Sequence, residues 1–192
     1  MSSASPKVEK TIVLIGMMGA GKTCIGRKLA ERLGLPFVDA DQEIAEAAGC
    51  SIPDIFSLHG ETAFREGEAR VILRLLDDPV HVLATGGGAF INEKTRAKIG
   101  ERAISIWLRA DIDLLLRRVT RRNNRPLLQK GNPRAVLEAL MAEREPVYAL
   151  ADIVVDSIDG PRDTMVNKVM EALDEYLARG DRKPASLRSA AP

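Results

Sequence analysis

Cysteine, histidine and aromatic residues are all scarce in this 192-residue chain. Cys24 and Cys50 are too few for a disulfide framework or a zinc-ligand set, and read as small apolar fillers. His59 and His81 stand apart, with no H-x-x-H or H-E-x-x-H spacing. Phe, Trp and Tyr together make up 4%, and the apolar segments carry no interleaved aromatics, which excludes a base-stacking nucleic-acid platform. Neither sign of charge dominates: 28 Lys and Arg face 27 Asp and Glu, and a net +1 gives no global pull on a polyanion. No run approaches the roughly 20 apolar residues that span a bilayer. The opening MSSASPKVEK lacks the apolar centre of a secretory signal. The chain therefore reads as a cytoplasmic protein without a membrane or nucleic-acid partner, and a monomer is the expectation for this size.

What is present is material for one core. Hydrophobic residues reach 45%, which excludes a wholly disordered chain, and no repeat or heptad pattern runs through them. Residues 1–10 are polar and read as a flexible extension, 11–178 as a single domain, and 179–192 as a polar, proline-containing tail expected to be disordered. Thr11–Ile15 (TIVLI) is short, apolar and β-branched, as a central parallel strand covered on both faces should be. Leu35–Asp39, Val80–Thr85, Ala103–Leu108 and Ile153–Val155 read as four further strands. Helical stretches separate them. One carries Ile25, Leu29 and Leu33 on a stripe ending at Gly34, and another runs from Pro133 to about Arg144. Five short strands alternating with helices predict a three-layer α/β/α fold around a five-stranded parallel sheet.

The strongest local signal is Gly16-Met-Met-Gly-Ala-Gly-Lys-Thr23, which matches G-x-x-x-x-G-K-[ST] between a predicted strand and a predicted helix. The residue types follow from the chemistry. Glycines let successive backbone N–H groups curl round a phosphate. Lys22 reaches the outer phosphates, the Thr23 hydroxyl can ligate magnesium, and the helix start adds its positive end. This implies a nucleoside triphosphate and leaves its use open. No guanine-reading N-K-x-D follows, and the length suits a small-molecule kinase rather than a motor or transporter.

Several residues further along fit an acceptor side. Asp39 and Asp41 follow the second predicted strand, at the end of the sheet where ligands bind in open α/β folds. Asp39 can hold magnesium. Asp41 can orient an acceptor hydroxyl or take its proton, or it can simply cap the next helix. Arg65 is either an anion binder or a helix arginine paired with Glu61, Glu66 or Glu68. Gly86, Gly87 and Gly88 close a strand, and three glycines in a row imply that something approaches the backbone closely. Arg117, Arg118, Arg121, Arg122 and Arg125 crowd into nine residues, which like charges tolerate when anions are near. Arg144, in Arg-Glu-Pro-Val-Tyr148, is a second candidate for bidentate carboxylate binding.

Together these segments resemble the shikimate kinase family, within the nucleoside-monophosphate-kinase-like P-loop fold. The resemblance spans about Thr11 to Leu177. It rests on the P-loop, on Asp39-Ala-Asp41 with Glu43-Ile44, on Phe64-Arg65, on Gly86-Gly-Gly88, on Arg125-Pro-Leu-Leu128, and on Arg144-Glu-Pro-Val-Tyr148. It implies phosphorylation of the 3-hydroxyl of shikimate by ATP with Mg2+, on a shikimate-binding segment of about 39–70 beneath an arginine-rich lid of about 120–132. Shikimate would lie against Asp41, Arg65, Gly86, Gly87, Gly88 and Arg144, with Asp41 as candidate base. The nucleotide would meet Gly19, Ala20, Gly21, Lys22, Thr23 and Cys24, with Arg118 at the adenine, Arg125 from the lid and Arg162 from the loosely matching 156–162 loop. Thr23 and Asp39 would hold the magnesium, and Lys22, Asp41 and Arg125 would carry catalysis. No acidic residue follows the third strand at Thr85, as in the family, where Asp39 and the glycine turn cover that role. A kinase for gluconate or a nucleotide would share the loop, fold and lid. The acceptor residues separate the readings: Asp41, Arg65 and Arg144 suit a small hydroxylated acid. A regulatory nucleotide-binding protein would have no need of Lys22, Asp41 and Arg125 together.

Overall fold

The computed structural model describes residues 8–120 and 132–180. The segment 121–131, which contains Arg125 and nearly all of the expected lid, lies outside the described residues, as do 1–7 and 181–192.

β1 (Thr11–Ile15) is buried along its whole length, which its unbroken β-branched and leucine sequence requires. It pairs in parallel with β3 (Val82–Ala84) on one side and β4 (Ala103–Arg109) on the other. β2 (Phe37–Asp39) and β5 (Ile153–Asp156) complete a five-stranded sheet in the order β2-β3-β1-β4-β5, every pairing parallel. The chain leaves β1 toward one edge for β2 and β3, then returns to the other side for β4 and β5. The end of β1 is therefore the point where the strand order reverses, and a crevice opens there.

Helices flank the sheet. α1 (Lys22–Leu33) packs against α7 (Arg162–Ala178), and α3 (Ile52–Leu75) against α4 (Glu93–Arg102). α5 (Ile112–Thr120) packs against α6 (Pro133–Tyr148). The main core joins Leu14 and Ile106 of the sheet to Leu29, Ile72, Leu115 and Val166 of these helices. α2 (Ala40–Ala48) and α3 enclose a smaller cluster of Ile44, Ile55 and Phe64. α3 carries a kink at Gly60, whose φ of 79° and ψ of 174° only glycine adopts without strain. Beyond the kink, the second half of α3 carries Arg65 and Glu68 against the glycine turn that follows β3.

The element boundaries follow the sequence closely, with one informative departure. α6 runs a full turn past Arg144, through Pro146 to Tyr148. Proline forfeits one intrahelical bond, and here the helix continues across it to bury Tyr148 completely. Among the described residues, no helix is long and apolar enough to cross a membrane.

Candidate functional site

The phosphate loop leaves β1 at Gly16 and enters α1 at Gly21, whose φ of 95° places it in the left-handed region as the helix N-cap. A side chain at Gly21 would be strained there, which explains why the motif demands glycine before the lysine. Met17 and Met18 pack inward and are buried. Lys22 is buried with 8% exposure, and its ammonium donates to the Gly16 carbonyl at 2.7 Å and the Met17 carbonyl at 2.9 Å. Its charge is thus held inside the curl of the loop. The half-buried Cys24 follows on α1 as a free thiol.

Asp39 ends β2 and serves two neighbours. Its Oδ1 accepts from the Asp41 backbone N–H at 3.0 Å, capping α2, while its Oδ2 accepts from the Thr23 hydroxyl at 2.8 Å. The capping role open to Asp41 therefore belongs to Asp39. Asp41 lies in the first turn of α2, with its carboxylate against the glycine turn. Thr23 and Asp39 offer adjacent hard oxygen donors at the mouth of the phosphate loop, the donor set that magnesium takes alongside phosphates and water.

The other side of the crevice is a charged cluster drawn from four segments. Arg65 Nη1 donates to Glu68 Oε2 at 2.7 Å, and Nη2 donates to Glu61 Oε1 at 3.3 Å. The Arg65 guanidinium also lies 5.0 Å from the Phe64 ring centroid. The close approach implied by three glycines is made by these side chains. A Cβ at Gly86 would meet Glu68 Oε1 at 2.6 Å and Asp41 Oδ1 at 3.1 Å, and one at Gly88 would meet the Arg65 Cζ at 2.5 Å. A Cβ at Gly87 would come within 3.3 Å of Arg144 Nη1. The turn is bare so that two carboxylates and two guanidinium groups can converge on it.

Burial sharpens the electrostatics of this cluster. Glu68 is 2% exposed, and burial raises its pKa above the ordinary carboxylate value against the opposing pull of Arg65; nearby Asp41 raises it further and Arg144 lowers it. Arg144 is 5% exposed, and its Nε finds no hydrogen-bond partner. An unsatisfied buried guanidinium donor is costly, and a carboxylate entering beside it would relieve that cost. Burial pushes the Tyr148 hydroxyl up to about 12, so it stays a donor at neutral pH. It donates to the Gly87 carbonyl.

Glu68 and Tyr148 complete the cluster beyond what the sequence reading assigned. The signal for Glu68 was available: Phe64, Glu68, Ile72 and Leu75 share one buried stripe of α3, and a lone carboxylate on an apolar stripe needs a cationic partner. Tyr148 stands one turn after Arg144 on the same face of α6, hidden from a reading that ended the helix at about Arg144.

At the far end of the loop, Arg118 of α5 donates to the Gly19 and Ala20 carbonyls, each at 3.4 Å, and to the Ile158 carbonyl at 3.1 Å. It ties the phosphate loop to the segment after β5. Arg162 is exposed at the first position of α7.

The family model described as shikimate kinase matches residues 18–174. A shikimate kinase of Bradyrhizobium diazoefficiens is 55% identical over 196 aligned positions, covering 97% of this chain and 95% of that protein. A shikimate kinase from Acinetobacter baumannii, solved in complex with shikimate, superposes with a TM-score of 0.85 at 38% identity, covering 92% of this chain and 97% of that one. A gluconokinase from Sinorhizobium meliloti reaches a TM-score of 0.59 at 18% identity over 91% of this chain and 97% of that one, a likeness of fold alone. With the family model over most of its length and relatives of this identity, this chain belongs to the shikimate kinase family.

Proposed function

We propose that this protein transfers the γ-phosphoryl group of ATP to the 3-hydroxyl of shikimate, giving shikimate 3-phosphate and ADP. The observation that carries the reading is the convergence of Asp41, Arg65 and Arg144 on the Gly86–Gly88 turn, directly beside the phosphate loop. Two guanidinium groups suit one carboxylate, and a neighbouring carboxylate suits a hydroxyl. Arg65 keeps its bond to the buried Glu68 while the more exposed Glu61 swings aside, freeing Nη2 for the acid. The unpartnered Nε of Arg144 supplies a further donor.

Catalysis on this arrangement is positioning and charge stabilisation. Lys22 leaves the loop carbonyls to follow the transferring phosphoryl group, and Gly19, Ala20, Gly21 and Cys24 line the phosphate path with backbone N–H groups. Asp41 orients the 3-hydroxyl and accepts its proton. Thr23 and Asp39 would hold magnesium, which supplies charge neutralisation at the phosphates. Arg118 is assigned to the adenine side, Arg162 to the same side on its loosely matching loop, and Arg125 to the reacting phosphates on the strength of its Arg-Pro-Leu-Leu motif.

The test is ADP formation by purified protein with ATP and magnesium, offered shikimate, gluconate, AMP or CMP in parallel. Turnover with shikimate alone, abolished in Lys22→Ala, is the expected result. Turnover with gluconate or a nucleotide and none with shikimate would overturn the acceptor assignment and leave the phosphate site standing.

A further inference from the structure

One buried hydroxyl in the acceptor cluster is not explained by packing. Tyr148 is 0% exposed, and its ring leans on Trp107 with centroids 5.7 Å apart. Phenylalanine would fill that space as well, and burying a hydroxyl is unfavourable unless it is hydrogen-bonded. This hydroxyl donates to the Gly87 carbonyl and lies 3.9 Å from Met17 Sδ. It touches the glycine turn and the phosphate loop at once. Gly87 occupies the same junction, since a Cβ on it would lie 3.5 Å from the Met18 backbone nitrogen and 3.6 Å from the Gly16 carbonyl oxygen.

The peptide joining Gly87 to Gly88 is planar and trans. Holding its carbonyl toward α6 sends the Gly88 N–H in the opposite direction, so one hydroxyl sets the orientation of a backbone donor in the turn. Neither glycine has a side chain to hinder rotation of that plane. Arg144, one helical turn before Tyr148, is carried by the same face of α6 and reaches the same residue.

We propose that Tyr148 is a positioning residue for the acceptor: its hydroxyl locks the Gly87–Gly88 peptide and so fixes the spacing between Arg65, Arg144 and the phosphate loop. The inference deepens the shikimate reading and rests on it. Tyr148 makes no contact with reacting atoms; it acts through the turn and through the hydrogen bond that its hydroxyl accepts from the Arg144 guanidinium.

Tyr148→Phe keeps the ring and removes only the hydroxyl, and Trp107→Phe loosens the packing beneath the ring and keeps the hydroxyl. Steady-state kinetics with shikimate and ATP varied in turn, together with thermal unfolding, compare both variants with the wild type. Tyr148→Phe is expected to raise the shikimate KM about tenfold and to leave the ATP KM within about twofold, on the scale of one lost buried hydrogen bond. Trp107→Phe is expected to lower Tm and leave the shikimate KM within about twofold. The inference is overturned by an unchanged shikimate KM in Tyr148→Phe, by an equal rise in both KM values, or by the same shift in Trp107→Phe. Absence of shikimate turnover in the wild type would overturn the functional reading itself, so the two failures are distinguishable.

Discussion

The two walls of the crevice are built in different ways. The phosphate loop is eight consecutive residues built largely of backbone, and its lysine is tied to carbonyls five and six positions away. The acceptor wall gathers Asp41, Arg65 and Glu68, Gly86–Gly88, and Arg144 with Tyr148 from four separate segments, and is built of side chains packed against a bare turn. A wall made of local backbone can be shared by any enzyme that handles a triphosphate. A wall made of distant side chains can change its acceptor without disturbing the sheet. The likeness to a gluconokinase in fold alone, at 18% identity, fits that division.

Damage to each wall should therefore read out differently. The largest effect is expected in Lys22→Ala, which should lower kcat at least ~100-fold and leave shikimate binding nearly intact. Calorimetric titration of shikimate into that variant checks the second half of the prediction. Next comes Gly88→Ala. A Cβ there collides with the Arg65 guanidinium, so the shikimate KM should rise by about 30-fold or more, while the ATP KM moves by less than about twofold. Equal losses for the two substrates would mean that the walls are not separable. Arg144→Lys keeps the charge and loses the fork, and should raise the shikimate KM about tenfold in the same assay.

The smallest effect concerns stability. Burial holds the Glu68 pKa above its ordinary value, so over the range between the two pKa values the folded chain keeps a proton that the unfolded chain has released. Stability from this group is therefore lost as pH rises through its folded pKa. The Tm advantage of wild type over Glu68→Gln should shrink as pH rises above the ordinary carboxylate range in thermal unfolding scans. An advantage that widens with pH would mean that the Arg65 charge outweighs burial.

The same division explains what was legible in the sequence. The sheet, the phosphate loop and the end of α1 are local statements: Gly34 ends α1 as the spacing predicts. The glycine turn announced a close approach and did not say by what. Its occupants lie up to 61 residues away in sequence, and only tertiary packing brings them in. Of the three acids within reach of Arg65, the apolar stripe of Phe64, Ile72 and Leu75 marks Glu68 rather than Glu61 or Glu66, and its seat against the glycine turn is set by tertiary packing. α6 outlasted its expected end because the space beneath the turn takes a Tyr ring, a demand that helix propensity does not contain. Arg125 falls within 121–131, so its role stands on motif alone.

In the proposed function the acceptor wall reads a carboxylate and a hydroxyl together. The most direct measurement is calorimetric titration of shikimate and of its methyl ester into the wild-type protein and into Arg144→Lys. Saturable shikimate binding at one site, at least ~10-fold weaker for the ester and with that preference reduced in Arg144→Lys, is the predicted result. Equal affinity for acid and ester would contradict the assignment of Arg65 and Arg144 to the carboxylate.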